Sequence, residues 1–324
     1  MRDLRIFLLL MAPGLLIVAV LMMIESVTHQ HIVQPFFSSI TGIGWGYRSD
    51  FRLGLMRAQG PFDHPILAGI FLASFICLYW MSGLRGAPRY MGIAASFLGF
   101  FAVSSGALLA IVFSIVLVGY NWLTERVANL SWRLFFVFTA LFLFAAELGT
   151  GAGAFGLVIR VASLNSISGY ARINIWEHGS ASVAKHPWFG IGYADWERPI
   201  WMGDSVDNFW LLLAMRFGLP AVCFIALATV IALVTLVRRS AYSNIFEART
   251  ERGVAMALSV FALTLISVAP WLSPQTWFYM LLGIAVSLAN APRPILRPAR
   301  PAALPVLDLV TREHPPESAP PHRS

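Results

Sequence analysis

Long runs of apolar side chains, each ended by a short stretch holding glycine, proline or arginine, recur along the chain as far as residue 290. Runs of about 20 apolar residues match the hydrocarbon thickness of a bilayer, so this pattern predicts membrane-spanning helices. The first run, 6–24, follows Arg2 and Arg5. A signal peptide has only about 7–15 apolar residues and a small-residue cleavage site; this run is longer, and Glu25-Ser26-Val27-Thr28 offers no such site, so it reads as a retained anchor. After a polar stretch, 25–64, comes a second span, 65–83. Residues 90–123 are apolar over 34 positions, too long for one crossing at a rise of about 1.5 Å per residue. Ser104-Ser105-Gly106 near their middle predicts a turn between spans three and four. The fifth span is 133–150 and the sixth 208–237, with the longest polar segment, 151–207, between them. An interfacial helix is expected within that segment, from Arg172 to Lys185. An arginine-rich link, 238–252, leads to spans seven and eight, 254–270 and 275–290, which turn at Pro270-Trp271-Leu272-Ser273-Pro274. From Ala291 the chain is rich in proline and arginine and is expected to be a disordered tail. The expected fold is therefore all-α: a polytopic membrane domain over 1–290 with about eight spans, then the tail 291–324.

Composition agrees. Hydrophobic residues make up 58% and charged residues 12%, with mean hydropathy +0.71, against about 45–50% and about 25% in soluble domains. A soluble enzyme of this length could not hide so much apolar surface. Cys77 and Cys223 both fall inside apolar runs, where a free cysteine acts as a small hydrophobe.

Charge then sets the orientation. The net charge is +7, and Lys185 is the only lysine. With both termini on one face, that face holds 15 basic and seven acidic residues, and the opposite face seven basic and eight acidic. Arg216 and Glu147 lie within spans and cancel. Basic residues favour the cytoplasmic side, so both termini are expected there. The excess of arginine is a topology signal, and no nucleic-acid partner is expected.

The span interiors are almost free of charge, and the polar residues gather in two loops on the outer face. Solute and ion carriers usually place ionisable groups at mid-membrane depth; here the distribution favours binding or chemistry at that outer face. The first loop ends Arg57-Ala58-Gln59-Gly60-Pro61-Phe62-Asp63-His64-Pro65. The second contains Arg172-Ile173-Asn174-Ile175-Trp176 and His186-Pro187-Trp188-Phe189-Gly190-Ile191-Gly192, then Asp207-Asn208, nine residues, and Gly218.

In this order these segments resemble the O-antigen ligase and O-antigen polymerase superfamily of membrane glycosyltransferases, over about 55–290. The resemblance implies a multi-pass enzyme of the bacterial inner membrane whose periplasmic loops are 25–64 and 151–207. Such enzymes transfer a glycan from an undecaprenyl-diphosphate carrier to an acceptor hydroxyl, with no metal, cofactor or nucleotide sugar. Ligases use lipid A core as acceptor; polymerases, exopolysaccharide polymerases among them, use another lipid-linked repeat unit. Membrane lipids, a flippase and a chain-length regulator are the accompanying partners. Arginines pair bidentately with phosphate oxygens and stabilise charge on a departing diphosphate, and an acidic or imidazole group can take the acceptor proton. The residues carried over are Asp207 and Arg172 for catalysis, with Arg57, His64, His186, Asn208 and Arg216 for substrate.

Ligases usually have His before the Asn, Ser or Gln that opens the nine-residue spacer, where this chain has Asp207. They have Gly, Thr or Tyr where it has Ala221, and many members have Ser-Arg where it has Ser104-Ser105. These departures favour a polymerase over a ligase. Relatives commonly carry more spans before the Arg57 segment, so a short or inactive member is an alternative, as is a transporter of lipid-linked sugars.

Simpler roles stand beside these. Arg172 and Trp176 suit a headgroup anchor, and Arg57 suits an ion pair with Asp50 or Asp63. His64 and His186 precede prolines and suit a cap or a loop closure. Gly190 and Gly192 suit turns. Asp207 at the start of span six suits a helix N-terminus. Arg216, nine positions on, would lie about 13 Å deeper on a straight helix, facing a pocket.

Overall fold

The computed structural model describes residues 1–44, 49–127, 129–149, 156 and 166–292. Arg48, Arg160 and the expected tail beyond Pro292 lie outside the described residues, as does most of 150–165.

Among the described residues the elements are α1 (Arg2–Thr28), α2 (Val33–Thr41), β1 (Phe51–Arg52), β2 (Leu55–Met56), α3 (Pro65–Met81), α4 (Ala87–Leu98), α5 (Ser105–Thr124), α6 (Trp132–Gly149), α7 (Ser166–Lys185), α8 (Phe209–Ser240), α9 (Ile245–Thr264) and α10 (Leu272–Asn290). The fold is nearly all-α; one small antiparallel hairpin, β1–β2, departs from the expectation. Five helices, α1, α5, α6, α8 and α10, are long and apolar enough to cross a membrane. Of the other three expected spans, α3 is apolar but has 17 residues, α4 has 12, and α9 carries Glu247, Arg249, Glu251 and Arg252 in its first turns.

Three further expectations change. The segment 25–64 holds α2 and the hairpin. The helix expected from Arg172, α7, starts at Ser166, six residues earlier. The link 238–252 shrinks to 241–244, because Asn244 starts a new helix early: its Oδ1 accepts the Glu247 N–H at 2.9 Å.

The central element is α3, and nearly every residue from Pro65 to Met81 is buried. A helix that is apolar all round belongs inside a bundle. Small residues let its neighbours close in. A Cβ on Gly69 would strike Ala107 of α5, one on Gly92 the Tyr79 ring, and one on Gly253 of α9 would lie 2.6 Å from Met81 Cβ. Trp277 of α10 stacks on Phe75 at 4.5 Å and donates to Ser74 Oγ at 2.8 Å.

One end of the bundle is tied by charge. Arg239 of α8 meets Glu251 at 2.7 Å and also donates to the Ala289 and Ala291 carbonyls. Arg252 donates to Asn121 Oδ1 at 2.9 Å, and the Arg5 guanidinium lies 3.4 Å over the Phe246 ring. The candidate site residues gather at the other end.

Candidate functional site

The last turn of α1 fixes the segment that carries Arg57. Glu25 and Ser26 are both fully buried. Ser26 Oγ donates to the Met56 carbonyl at 2.7 Å, while Glu25 Oε2 accepts the Gly60 N–H at 3.1 Å. Glu25 Oε1 accepts the Ile32 and Val33 N–H groups, each at 2.9 Å, and so holds the start of α2 as well. Two adjacent side chains thus clamp the backbone on both sides of Arg57. Gly60 has φ +54, and a Cβ there would lie 2.9 Å from Met22, so glycine suits both the turn and the approach of α1.

The hairpin supplies a second arginine. Leu53 and Gly54 have φ 53 and 76, the two positive angles of a type I′ turn. The turn places Asp50 opposite Arg57: the Arg57 N–H donates to the Asp50 carbonyl at 2.9 Å, and Nη1 donates to the Asp50 carboxylate at 3.2 Å. Arg57 is 3% exposed, and among the described residues its Nε and Nη2 have no hydrogen-bond partner. Arg52, on β1, reaches α7 by donating to Ser168 Oγ at 3.4 Å. Arg172, one turn further along α7, is 8% exposed.

These groups act on one another electrostatically. Burial, helped by Arg52 and Arg172, pulls the Arg57 guanidinium down to about 10, and Asp50 opposes the shift. Burial also lowers Arg172; Asp207 works against this and Arg52 adds to it. Three arginines and two carboxylates therefore act on one another with a surplus of positive charge, and two of the arginines, Arg57 and Arg172, are buried. Arg57 pairs with Asp50 through Nη1, and its two other buried nitrogens, open among the described residues, are costly to leave without an acceptor, so this is a place that favours an anion. The open nitrogens of Arg57, with the buried Arg172 within electrostatic reach, can receive the oxygens of an anionic group.

The sequence expectation placed Asp207 at the helix start. The cap is instead Asn208, whose Oδ1 accepts the Leu211 N–H at 3.0 Å. Asp207 is half-buried, accepts Ser205 Oγ–H at 3.0 Å, and lies within electrostatic reach of Arg172. A short polar side chain one position later satisfies the first-turn donors, which leaves the carboxylate outside the helix.

Helix α8 breaks at Gly218, with φ 83 and ψ 172, and Pro220 follows. The nine-residue spacer between Asn208 and Gly218 is the length of the first helical segment. The break releases the Met215 and Arg216 carbonyls and the Leu219 N–H, and the His186–Gly192 segment takes up all three. Ile191 N–H donates to Met215 O at 2.7 Å, Gly192 N–H to Arg216 O at 2.9 Å, and Leu219 N–H to Pro187 O at 2.8 Å. The two backbones nearly touch. A Cβ on Gly190 would lie 2.5 Å from Met215 O, and one on Gly218 would strike the Trp188 carbonyl. Gly190 and Gly192 have φ 66 and 62, so they shape a turn that interlocks with the broken helix.

Arg57, Arg172 and Asp207 are thus brought together, with Asn208 at the edge. His64 caps α3 by accepting the Ile66 N–H on Nδ1 at 3.2 Å, and its ring stands edge-on to Trp271. His186 is exposed and lies past the far end of α7 from Arg172, about 20 Å away by helical rise. Its neighbour Lys185 lines a cavity of about 350 Å³ together with His178, Glu197 and Arg198. Arg216 is half-buried with its guanidinium 4.9 Å from the Tyr193 ring centre. Arg216 lies near the end of the first helical segment, before the break, about 13 Å along that segment from Asp207. Arg52 and Glu25 were not singled out from sequence; a buried acid in Glu25-Ser26, just past an apolar run, was the available signal for the second.

The apolar helices and the polar, arginine-rich end define a multi-pass membrane protein with an anion-favouring site at one end of its bundle. Residues 90–226 match the family described as O-antigen ligase. That segment carries the Arg172, His186–Gly192 and Asp207–Gly218 pieces, and the match supports the resemblance to the O-antigen ligase and polymerase superfamily. Members of that family are glycosyltransferase-like membrane enzymes. No curated protein matches the chain.

Proposed function

We propose that the protein is a polymerase-type glycosyltransferase joining undecaprenyl-diphosphate-linked repeat units at the periplasmic face of the inner membrane. The observation that carries this reading is the buried Arg57, with two unpartnered nitrogens, within electrostatic reach of Arg172 and Arg52, and Arg172 in turn within reach of Asp207. Arg57 and Arg172 bind the donor diphosphate, and Arg52 adds to the positive field. The acceptor hydroxyl oxygen attacks the anomeric carbon of the donor sugar, and the bond from that carbon to the diphosphate oxygen breaks. The electron pair stays on the diphosphate, where the guanidinium N–H groups stabilise it. Asp207 takes the proton of the attacking hydroxyl. Ser104-Ser105 in place of Ser-Arg, and Asp207 in place of the ligase histidine, support polymerisation over ligation.

Purified protein given undecaprenyl-diphosphate-linked repeat units should extend them, read as a ladder on a gel. Products confined to lipid A core would make it a ligase, and no product with either acceptor would count against an enzyme.

A further inference from the structure

Trp188, Phe189 and Tyr193 lie on a loop whose backbone is pinned to α8, yet their exposures are 70%, 89% and 82%. Large aromatic groups held rigidly outward form a patch that implies a partner. Phe217 and Leu219, on either side of the α8 break, are each 46% exposed and border it. The Tyr193 ring stands edge-on to Phe217 at 6.2 Å.

The position of this patch along α8 identifies the partner. Beyond the break, Leu219 to Ser240 runs for about 22 residues, roughly 33 Å of helix, close to the about 30 Å of a hydrocarbon core. Phe224, Leu227, Val230 and Ile231 are exposed on it, and it ends in Arg238 and Arg239. Its first residue, Leu219, donates to Pro187, so Trp188 and Phe189 are held at the opposite boundary of that span. Tryptophan and tyrosine are favoured at that depth. The aromatic patch therefore continues the lipid-facing surface of α8 into the headgroup layer.

We propose that the Trp188–Tyr193 loop is a lipid-interface anchor, seated in the headgroup layer, that sets the depth of the first segment of α8. Spin labels test this in full-length protein in nanodiscs of phosphatidylethanolamine and phosphatidylglycerol, with the exposed Cys223 changed to serine and the buried Cys77 kept. Phe189→Cys and, separately, Tyr193→Cys carry the label, with Asp204→Cys as a water-exposed control. Labels at 189 and 193 should collide more with oxygen than with a water-soluble nickel chelate, and the label at 204 the reverse. Both side chains point outward, so the labels leave the backbone lock in place, and greater oxygen collision at either site supports the anchor. Greater nickel than oxygen collision at both would overturn the anchor. Water-exposed labels that become immobilised on adding free repeat-unit oligosaccharide would overturn it in favour of a sugar platform. The outcome does not depend on transfer activity.

Discussion

Asp207 and Asn208, adjacent in the chain, do different work: Asn208 caps α8 through the Leu211 N–H at 3.0 Å, while Asp207 stands outside the helix, accepts from Ser205 Oγ and lies within electrostatic reach of Arg172. The two substitutions should therefore separate. Asp207→Asn should abolish chain extension on the gel with thermal unfolding unchanged. Asn208→Ala should cost about 1 kcal/mol of stability, the usual loss for an asparagine cap, seen as a lower Tm. A fully active Asp207→Asn enzyme would move the base elsewhere.

Arg172→Lys keeps a positive charge but loses the planar fork that fits two phosphate oxygens. Polymer formation should fall strongly while membrane levels of the protein stay at those of the parent, compared by gel and immunoblot. Parental activity would return Arg172 to a headgroup anchor.

The interlock with α8 predicts unequal glycine substitutions. Gly190→Ala places a methyl 2.5 Å from Met215 O at a positive φ, whereas Gly192→Ala has positive φ but nothing within 4 Å. Gly192→Ala should cost about 1–2 kcal/mol for the left-handed backbone alone. Gly190→Ala should lower the unfolding temperature further, because backbone must also move. Equal shifts would mean that the contact with α8 contributes nothing.

The clamp on Arg57 gives a fourth test. Glu25→Gln exchanges one acceptor oxygen for an amide that cannot accept the Gly60 N–H if the other oxygen still serves α2. Arg57 should then be held less firmly, so KM for the lipid-linked donor should rise. Arg57→Lys in the same background should add little, and full additivity would show that the two side chains act independently.

The apolar runs placed most helices within a few residues, because a bilayer rewards long unbroken hydrophobicity whatever the tertiary contacts. The site was legible in part. Arg57, Arg172 and Asp207 stood out as charged groups in the loops, and the structure brings them together. Arg52 stood in the same loop but had no role assigned, because its place depends on the two positive φ angles at Leu53 and Gly54, which only glycine signals from sequence. The cap was assigned one residue early, since Asp and Asn are equally good caps. The break in α8 was written in Gly218-Leu219-Pro220, but the surrounding hydrophobicity read as one span.

The most direct test of the central claim is equilibrium binding of an undecaprenyl diphosphate to the detergent-purified protein, compared with the monophosphate. The diphosphate should bind more tightly. Arg57→Lys and Arg172→Lys should each weaken it at least tenfold, about 1.4 kcal/mol, while Arg238→Lys, exposed at the other end of the bundle, should leave it unchanged. Equal affinity for the two lipids, or binding that survives loss of both arginines, would contradict the assignment of the arginine cluster as the diphosphate site.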